Sequence, residues 1–248
     1  MVHIASRNPE KCAKVLSDLR ERFPKHASRF LMHPLDLSSI RSASESARAF
    51  AASTSNSRLD ILVANAGIWS VPGGELSVDG YDPAFATNHL GHFAFIMGLL
   101  PLMERTANDT GDARIVVVSS LAYEYVVGID LSDVGDAKPR DGKRISDLPD
   151  VARRYGRSKR ANILFVMELH RRLVARGVHN VMVNACHPGL VGSMEFASDV
   201  CAPLPQHPSA TPIAIIEPLV FPNTPFLLDR IDPGFPLGWR GLPDGSRL

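Results

Sequence analysis

The sequence predicts an α/β protein built on an open, mostly parallel sheet. Two short runs, Leu59–Ala64 and Arg114–Val118, are continuous and rich in valine and isoleucine. Such runs are typical of strands that are covered on both faces. Longer helical patterns separate them, and alternating strands and helices indicate a parallel sheet. The chain has 248 residues, of which 45% are hydrophobic, which is enough for one large domain.

The first part of the chain alternates in the same way. Val2–Ser6 predicts a short strand, after which Asn8 and Pro9 have the chemistry of a helix cap and a first helical turn. Phe30–His33 predicts a second strand. A helix opened near Asp36 then runs to about Ala52.

The later elements continue the series. A long helix is predicted from about Asp82 to Met103 and another from about Tyr155 to Arg176, followed by a strand at Asn180–Ala185. Two stretches break the pattern. Residues 129–150 are rich in charge, glycine and proline and predict a solvated loop, and ten of the nineteen prolines fall in residues 201–248. We therefore predict a catalytic domain over residues 1–195 and an atypical proline-rich tail over residues 196–248.

Composition excludes several classes of protein. The formal net charge is +1, from 27 basic and 26 acidic residues, so the chain has no overall electrostatic field that would attract nucleic acid or an anionic membrane. The three cysteines form no CxxC pair, and the histidines fall on different elements, so neither a disulfide framework nor a metal site is expected. No secretory signal is visible, and prolines interrupt the most apolar late stretch. We expect a soluble cytoplasmic protein without a membrane span.

Candidate catalytic residues are gathered around one helix and two strand ends. Tyr155 and Lys159 are four residues apart, so a helix presents both side chains on one face. An ammonium near a phenol, whose ordinary pKa is about 10, stabilises its ionised form. Ser119 and Ser120 follow one predicted buried strand, and Asn65-Ala66-Gly67 follows another. Parallel sheets bind ligands at this carboxyl edge.

With Asn88-His89-Leu90-Gly91-His92-Phe93 and His187-Pro188-Gly189, these motifs resemble the short-chain dehydrogenase/reductase family over about residues 2–195. The similarity is greatest to its retinol-dehydrogenase-like branch. The resemblance implies a Rossmann-like, doubly wound parallel sheet in three α/β/α layers. It also implies a small-molecule carbonyl or alcohol substrate and a homodimer or homotetramer formed through the two long helices.

The resemblance assigns catalytic roles to four residues. Tyr155 would be the general acid in carbonyl reduction, or the base in alcohol oxidation. Lys159 would lower the pKa of Tyr155 and hold the nicotinamide ribose. Ser120, with Ser119 as the adjacent alternative, would donate a hydrogen bond to the substrate oxygen. Asn88 would hold a water that links Lys159 to solvent.

The resemblance also assigns the cofactor-binding residues. Arg7 ends the Val2–Ser6 strand, where a basic residue favours NADP over NAD. The remaining positions match segments around the adenine, the adenosine and the nicotinamide: Asp36; Asn65, Ala66 and Gly67; and Pro188, Gly189, Val191 and Ser193.

The sequence departs from the family in its glycines. No glycine occurs before Gly67, so the TGxxxGxG turn that receives the pyrophosphate is not found, and we expect the family's first strand to be missing. The tail also lacks the usual final helix and strand. Three interpretations follow. The protein is an NADP-dependent oxidoreductase, or it is an inactive relative or truncated product with a binding or regulatory role, or the sequence has no stable product.

Overall fold

The computed structural model describes residues 1–53, 57–69, 75–126, 129, 131, 134–135 and 148–189, and the backbone of 217–218. All of these belong to one compact unit, Met1–Pro218. The boundary predicted between residues 195 and 196 lies outside the described residues.

The chain begins with a parallel pair of strands and one helix. β1 (Val2–Ser6) pairs with β2 (Phe30–Pro34), and α1 (Pro9–Arg22) and a 3₁₀ helix (Pro24–Arg29) connect them. The predicted helix start is confirmed, because the Asn8 side chain accepts a hydrogen bond from the Lys11 backbone N–H at 2.8 Å. This bond satisfies one of the unpaired donors of the first helical turn.

A second sheet carries the rest of the domain. Its parallel strands are β3 (Ile61–Ala64), β4 (Ala113–Val118) and β5 (Val181–His187), and β6 (Glu217–Pro218) pairs with β5 in the antiparallel sense. The helices are α2 (Ile40–Ala52), α3 (Pro83–Phe85), α4 (Gly91–Thr110) and α5 (Leu148–Ala175), with a π-helical segment, Ala86–Leu90, joining α3 to α4. The predicted α/β fold class is confirmed.

The core lies between the second sheet and the helices that cover one of its faces. Ile96 and Met103 of α4 and Ile115 of β4 are fully buried there, together with Leu173 of α5. Burying an aliphatic side chain of this size contributes about 1.5–3 kcal/mol. This packing holds α4 and α5 against the strands whose ends carry the candidate catalytic residues.

The described strands form two sheets rather than one. β1 pairs with β2 and β3 pairs with β4, and within the part of the chain that the structure describes no ladder joins β1 to β3. Helix α2 connects the sheets instead. Its Phe50 ring lies 5.0 Å from the His3 ring of β1, and Leu62 of β3 packs against the same hydrophobic cluster.

Helix α5 begins earlier than predicted, at Leu148 rather than near Tyr155. The first turn of this helix therefore begins within residues 129–150, the stretch that was predicted to be a solvated loop. Asp150 pairs there with Arg153 at 2.8 Å and with Arg154 at 2.7 Å, and Arg154 also reaches the buried Asp82 at 3.2 Å. Tyr155 therefore lies well inside the helix, on a segment fixed by ion pairs. Of the helices in the described ranges, none is long and apolar enough to cross a membrane.

Candidate active site

Ser120, Tyr155 and Lys159 come together at the carboxyl end of β4. Ser120 follows this strand and forms a side-chain hydrogen bond with Tyr155, two turns into α5. The Lys159 ammonium lies 5.5 Å from the centre of the Tyr155 ring and donates a hydrogen bond to the Val118 carbonyl at 3.0 Å. The cluster therefore joins a hydroxyl, a phenol and an amine on two adjoining elements.

Burial determines the protonation of this cluster. It raises the pKa of Tyr155 above its ordinary value of 10, while the Ser120 hydrogen bond acts in the opposite direction. Burial also lowers the pKa of Lys159 to about 8. The sequence led us to expect a lowered Tyr155 pKa, but here loss of solvent outweighs the effect of neighbouring groups. At neutral pH the phenol is protonated and can donate a proton.

The structure distinguishes the two neighbouring serines. Ser119 is buried, its hydroxyl donates to the Lys159 carbonyl at 2.8 Å, and its N–H donates to the Cys186 carbonyl at 2.7 Å. Ser120 is half-buried and contacts Tyr155. Ser119 therefore ties β4 to α5 and β5, whereas Ser120 is the serine that can reach an oxygen held by Tyr155.

Asn88 connects the loop after β3 to α5. Its side-chain carbonyl accepts from the Ile68 N–H at 2.7 Å, and its amide donates to the Ile68 carbonyl at 2.9 Å and to the Ser158 hydroxyl at 3.0 Å. Ser158 in turn donates to the Tyr155 carbonyl at 2.7 Å. Both amide hydrogens of this fully buried residue are used within the protein, so its side chain has none left to donate to the water that we predicted.

The segment Asn65-Ala66-Gly67 is exposed at the end of β3, and α4 holds it in place. His92 is buried and its Nε2 lies 2.8 Å from the Ala66 carbonyl. Burial lowers the pKa of His92 to about 4, so the ring is neutral at pH 7. A Cβ added to Gly67 would lie 3.4 Å from the Lys159 amine. This segment therefore forms one wall beside Lys159.

Gly156 allows α5 to approach the segment after Ser120. A Cβ at this position would lie 2.3 Å from the Ala122 carbonyl oxygen, closer than any real contact. Ala122 belongs to a 3₁₀ helix, Leu121–Tyr125, whose N-cap is Ser120. The absence of a side chain at Gly156 thus permits the contact between Ser120 and Tyr155.

The residues predicted to hold the cofactor lie at several strand ends. Arg7 is exposed at the end of β1, and with Asn8, Pro9 and Glu10 it lines a pocket of about 400 Å³. Asp36 follows β2, and its Oδ1 accepts hydrogen bonds from both the N–H and the hydroxyl of Ser38. Pro188 and Gly189 follow β5, while Val191 and Ser193 lie outside the described residues.

These residues fit the two ends of a dinucleotide. Near the proposed catalytic cluster, the Lys159 amine donates to the Val118 carbonyl, and the buried Nδ1 of His187 has no hydrogen-bond partner among the residues that are described. At the adenosine end, Arg7 supplies a positive charge. For the pyrophosphate between them, residues 1–66 contain no glycine and hence no glycine-rich turn.

Sequence reasoning missed two residues of this site. Trp69 packs on Tyr155 with ring centroids 4.6 Å apart, and Gly156 allows the close approach described above. Gly156 stands between Tyr155 and Lys159 in the motif itself, so its position was a usable signal. No local pattern could place Trp69, because its contact joins residues 86 positions apart.

The fold and the site together are those of an α/β protein of the dehydrogenase type. Residues 1–128 match the family model described as short chain dehydrogenase. An uncharacterised oxidoreductase of Schizosaccharomyces pombe is 37% identical over 198 residues, covering 77% of this chain and 52% of that protein. The chain belongs to the short-chain dehydrogenase family. This finding confirms the family predicted from the motifs.

Two further comparisons agree. The protein named short-chain dehydrogenase TIC 32 A, chloroplastic, of Brassica napus is 37% identical over 198 residues, covering 79% of this chain and 57% of that protein. A solved complex of Pseudomonas aeruginosa RhlG with NADP superposes with a TM-score of 0.55 and 28% identity, covering 79% of this chain and 65% of that one. The chain thus spans little more than half the length of the curated relatives that it matches.

Proposed function

We propose that this protein is an NADP-dependent oxidoreductase that interconverts a carbonyl and an alcohol on a small molecule. The observation that carries the proposal is the contact of the Ser120 hydroxyl with the Tyr155 phenol, next to the Lys159 amine. A hydroxyl and a phenol that meet in this way can both donate to one substrate oxygen. This is what carbonyl reduction requires, because negative charge develops on that oxygen.

In the direction of reduction, Tyr155 donates its proton to the carbonyl oxygen and Ser120 stabilises the developing charge. A nicotinamide cofactor, when bound, would supply the hydride to the carbonyl carbon. Lys159, with its amine beside the Tyr155 ring, stabilises the phenolate left on Tyr155 until solvent returns a proton. The raised pKa of Tyr155 suits this order, since the phenol is protonated when the substrate arrives. In alcohol oxidation each transfer runs in reverse.

The preference for NADP over NAD rests on Arg7. Its guanidinium is exposed beside the N-terminus of α1, where a phosphate on the adenosine ribose would find both a positive charge and helix N–H groups. The similarity to RhlG, whose structure contains NADP, supports the same cofactor. Asp36, Asn65, Ala66 and Gly67, together with Pro188, Gly189, Val191 and Ser193, are proposed to complete the cofactor site.

The direct test is NADPH oxidation by the purified protein in the presence of a panel of aldehydes and ketones. Tyr155→Phe should lower kcat/KM by about 10²–10⁴-fold, because it removes the proton donor and leaves the ring in place. Tyr81→Phe is the matched control, since Tyr81 is an exposed tyrosine in the loop before α3. Equal rates for Tyr155→Phe and the control would contradict the proposed mechanism.

The second candidate is a catalytically inactive, cofactor-free member of the family that binds or regulates another protein. The two candidates differ in whether a dinucleotide binds, since residues 1–66 contain no glycine-rich turn to receive a pyrophosphate. Fluorescence titration with NADPH separates the candidates. Binding at micromolar affinity supports the oxidoreductase, whereas weaker binding by orders of magnitude, together with a protein complex that survives Tyr155→Phe, supports the regulatory role.

We also propose that the protein forms a homodimer or homotetramer through α4 and α5. Phe93 and Phe165 are half-buried on these helices and pack with their ring centroids 5.3 Å apart. Aromatic rings that stay partly exposed in one chain suit a contact with a second chain. Sedimentation equilibrium measures the mass, and Phe165→Glu should shift it towards the monomer.

A reducing compartment such as the cytoplasm completes the proposal. Cys12 and Cys186 are both buried free thiols, and neither faces a disulfide partner among the described residues. Localisation of a fluorescent fusion in the source cell tests this assignment, and accumulation in an organelle would contradict it.

A further inference from the structure

Trp69 covers the proposed proton donor. It is the second residue after Gly67, and its indole packs against the Tyr155 phenol with ring centroids 4.6 Å apart and an angle of 53° between the planes. Both side chains are half-buried. The distance and the tilt fall within the range of favourable aromatic pairs. The indole therefore forms part of the wall next to the proposed reaction centre.

The position of this indole is fixed by the protein. Asn88 makes two hydrogen bonds to the backbone of Ile68, the residue before Trp69, at 2.7 and 2.9 Å. The same amide donates to Ser158, which donates to the Tyr155 carbonyl. One fully buried side chain thus anchors both aromatic residues, so Trp69 and Tyr155 keep their relation to each other.

A carbonyl whose oxygen accepts from Tyr155 and Ser120 must place one of its substituents near the indole, because the indole touches the donor ring. We propose that Trp69 determines substrate specificity by packing against a planar aryl or conjugated group attached to the reacting carbonyl. The substrate class is therefore an uncharged aryl or conjugated ketone or aldehyde. This inference rests on the proposed function of the same site.

The chemistry of the wall favours this class over the alternatives. An aromatic group gains a ring contact with the indole beyond the burial of its surface, whereas a saturated group of equal size gains burial alone. An anionic substituent would need a cation, and the proposed mechanism assigns the charge of Lys159 to the Tyr155 phenolate beside it. Apolar, planar substituents on the carbonyl therefore match the wall formed by Trp69 best.

The test measures binding directly, so that it does not depend on turnover. The sequence contains two tryptophans, so Trp239→Phe leaves Trp69 as the sole indole. Its ¹H–¹⁵N signal is followed during titration with acetophenone and, separately, with cyclohexyl methyl ketone, in the presence of excess NADP⁺. We expect a saturable shift for both and about tenfold tighter binding of acetophenone, which corresponds to about 1.4 kcal/mol.

Two variants complete the experiment, with affinity measured by calorimetry. Trp69→Leu keeps an apolar side chain and should remove the preference for the aryl ketone, and Trp69→Phe should restore part of it. Circular dichroism and urea unfolding verify that both variants fold. Absence of saturable acetophenone binding, equal affinity for the two ketones, or an unchanged preference in Trp69→Leu overturns the inference, as does tighter binding of both ketones by Trp69→Leu.

A failure of the Trp69 inference can be distinguished from a failure of the proposed oxidoreductase function. If the aryl preference depends on Trp69 but no NADPH is oxidised, the oxidoreductase proposal fails while the assignment of the aromatic wall stands. If NADPH is oxidised with aryl and saturated ketones at equal kcat/KM and equal affinity, the oxidoreductase stands and the role of Trp69 fails.

Discussion

Replacing Gly156 by alanine should separate Ser120 from Tyr155. The new Cβ would lie 2.3 Å from the Ala122 carbonyl oxygen and 2.9 Å from a methyl group of Val126. Ordinary contact begins near 3.4 Å, so the 3₁₀ helix after Ser120 must move by about 1 Å. Because the first contact is with backbone, no side-chain rotation can relieve it. Ser120 caps this 3₁₀ helix and should move with it.

The expected magnitudes differ for stability and activity. Overpacking costs about 1–3 kcal/mol, and alanine returns about 1 kcal/mol through its higher helix propensity, so a net loss of about 1 kcal/mol is expected. Activity should suffer more, because a misplacement of about 1 Å can reduce the rate by about 10²-fold. Urea unfolding measures the loss of stability, and kcat/KM for NADPH-dependent reduction measures the loss of activity.

Gly98→Ala provides the matched control. Its Cβ would lie 2.7 Å from the Ala47 side chain, at the contact between α4 and α2. It should therefore cost similar stability while leaving kcat/KM within about twofold of the unmodified protein. The reasoning is refuted if Gly156→Ala keeps its activity, or if both variants lose activity in proportion to their loss of stability.

Three further predictions concern buried polar groups. Lys159→Met should stabilise the protein by roughly 3 kcal/mol at pH 7, because burial lowers the Lys159 pKa to about 8 from an ordinary 10.5. Urea unfolding should show that this gain disappears between pH 8 and 10.5, and a gain independent of pH would exclude the explanation. Burial likewise lowers the pKa of His89 and His92 to about 4 from 6.5, so the protein should lose about 2 kcal/mol per histidine between pH 7 and 5. Replacing both by phenylalanine should flatten this part of the pH profile, whereas an unchanged profile would assign the loss to other groups. Asn88→Ala should destabilise the protein by about 2–4 kcal/mol in thermal or urea unfolding, because it leaves the buried hydrogen-bonding partners of Asn88, including the Ile68 N–H, unsatisfied. A loss below 1 kcal/mol would show that water replaces the amide.

Much of the fold could be predicted because strand signals are local. Val2–Ser6 is a strand with the predicted bounds, the run at Leu59–Ala64 contains β3, and the run at Arg114–Val118 covers all of β4 except its first residue, Ala113. Helix α5 was placed less well, since its first turn is held by Asp150 and by an ion pair with the distant Asp82. Such a long-range pair leaves no periodic pattern in the sequence.

The site was predictable as a set of residues but not as a geometry. Tyr155 and Lys159 share a helix face because of their spacing, which the structure preserves. The choice of Ser120 over Ser119 depends on which hydroxyl α5 leaves available. The raised pKa of Tyr155 depends on how far packing removes water from the ring, a quantity that no motif contains.

By itself, the sequence determined the alternation of strands and helices, the family, and the residue types that meet at the end of β4, because these follow from local pattern and spacing. Only the tertiary structure decided three features. Among the described residues, β1 and β3 lie in separate sheets, the Asn88 side-chain amide donates to protein atoms, and Trp69 packs on Tyr155. These features arise from contacts between residues distant in sequence, and the free energies of such contacts depend on packing and burial rather than on local preference.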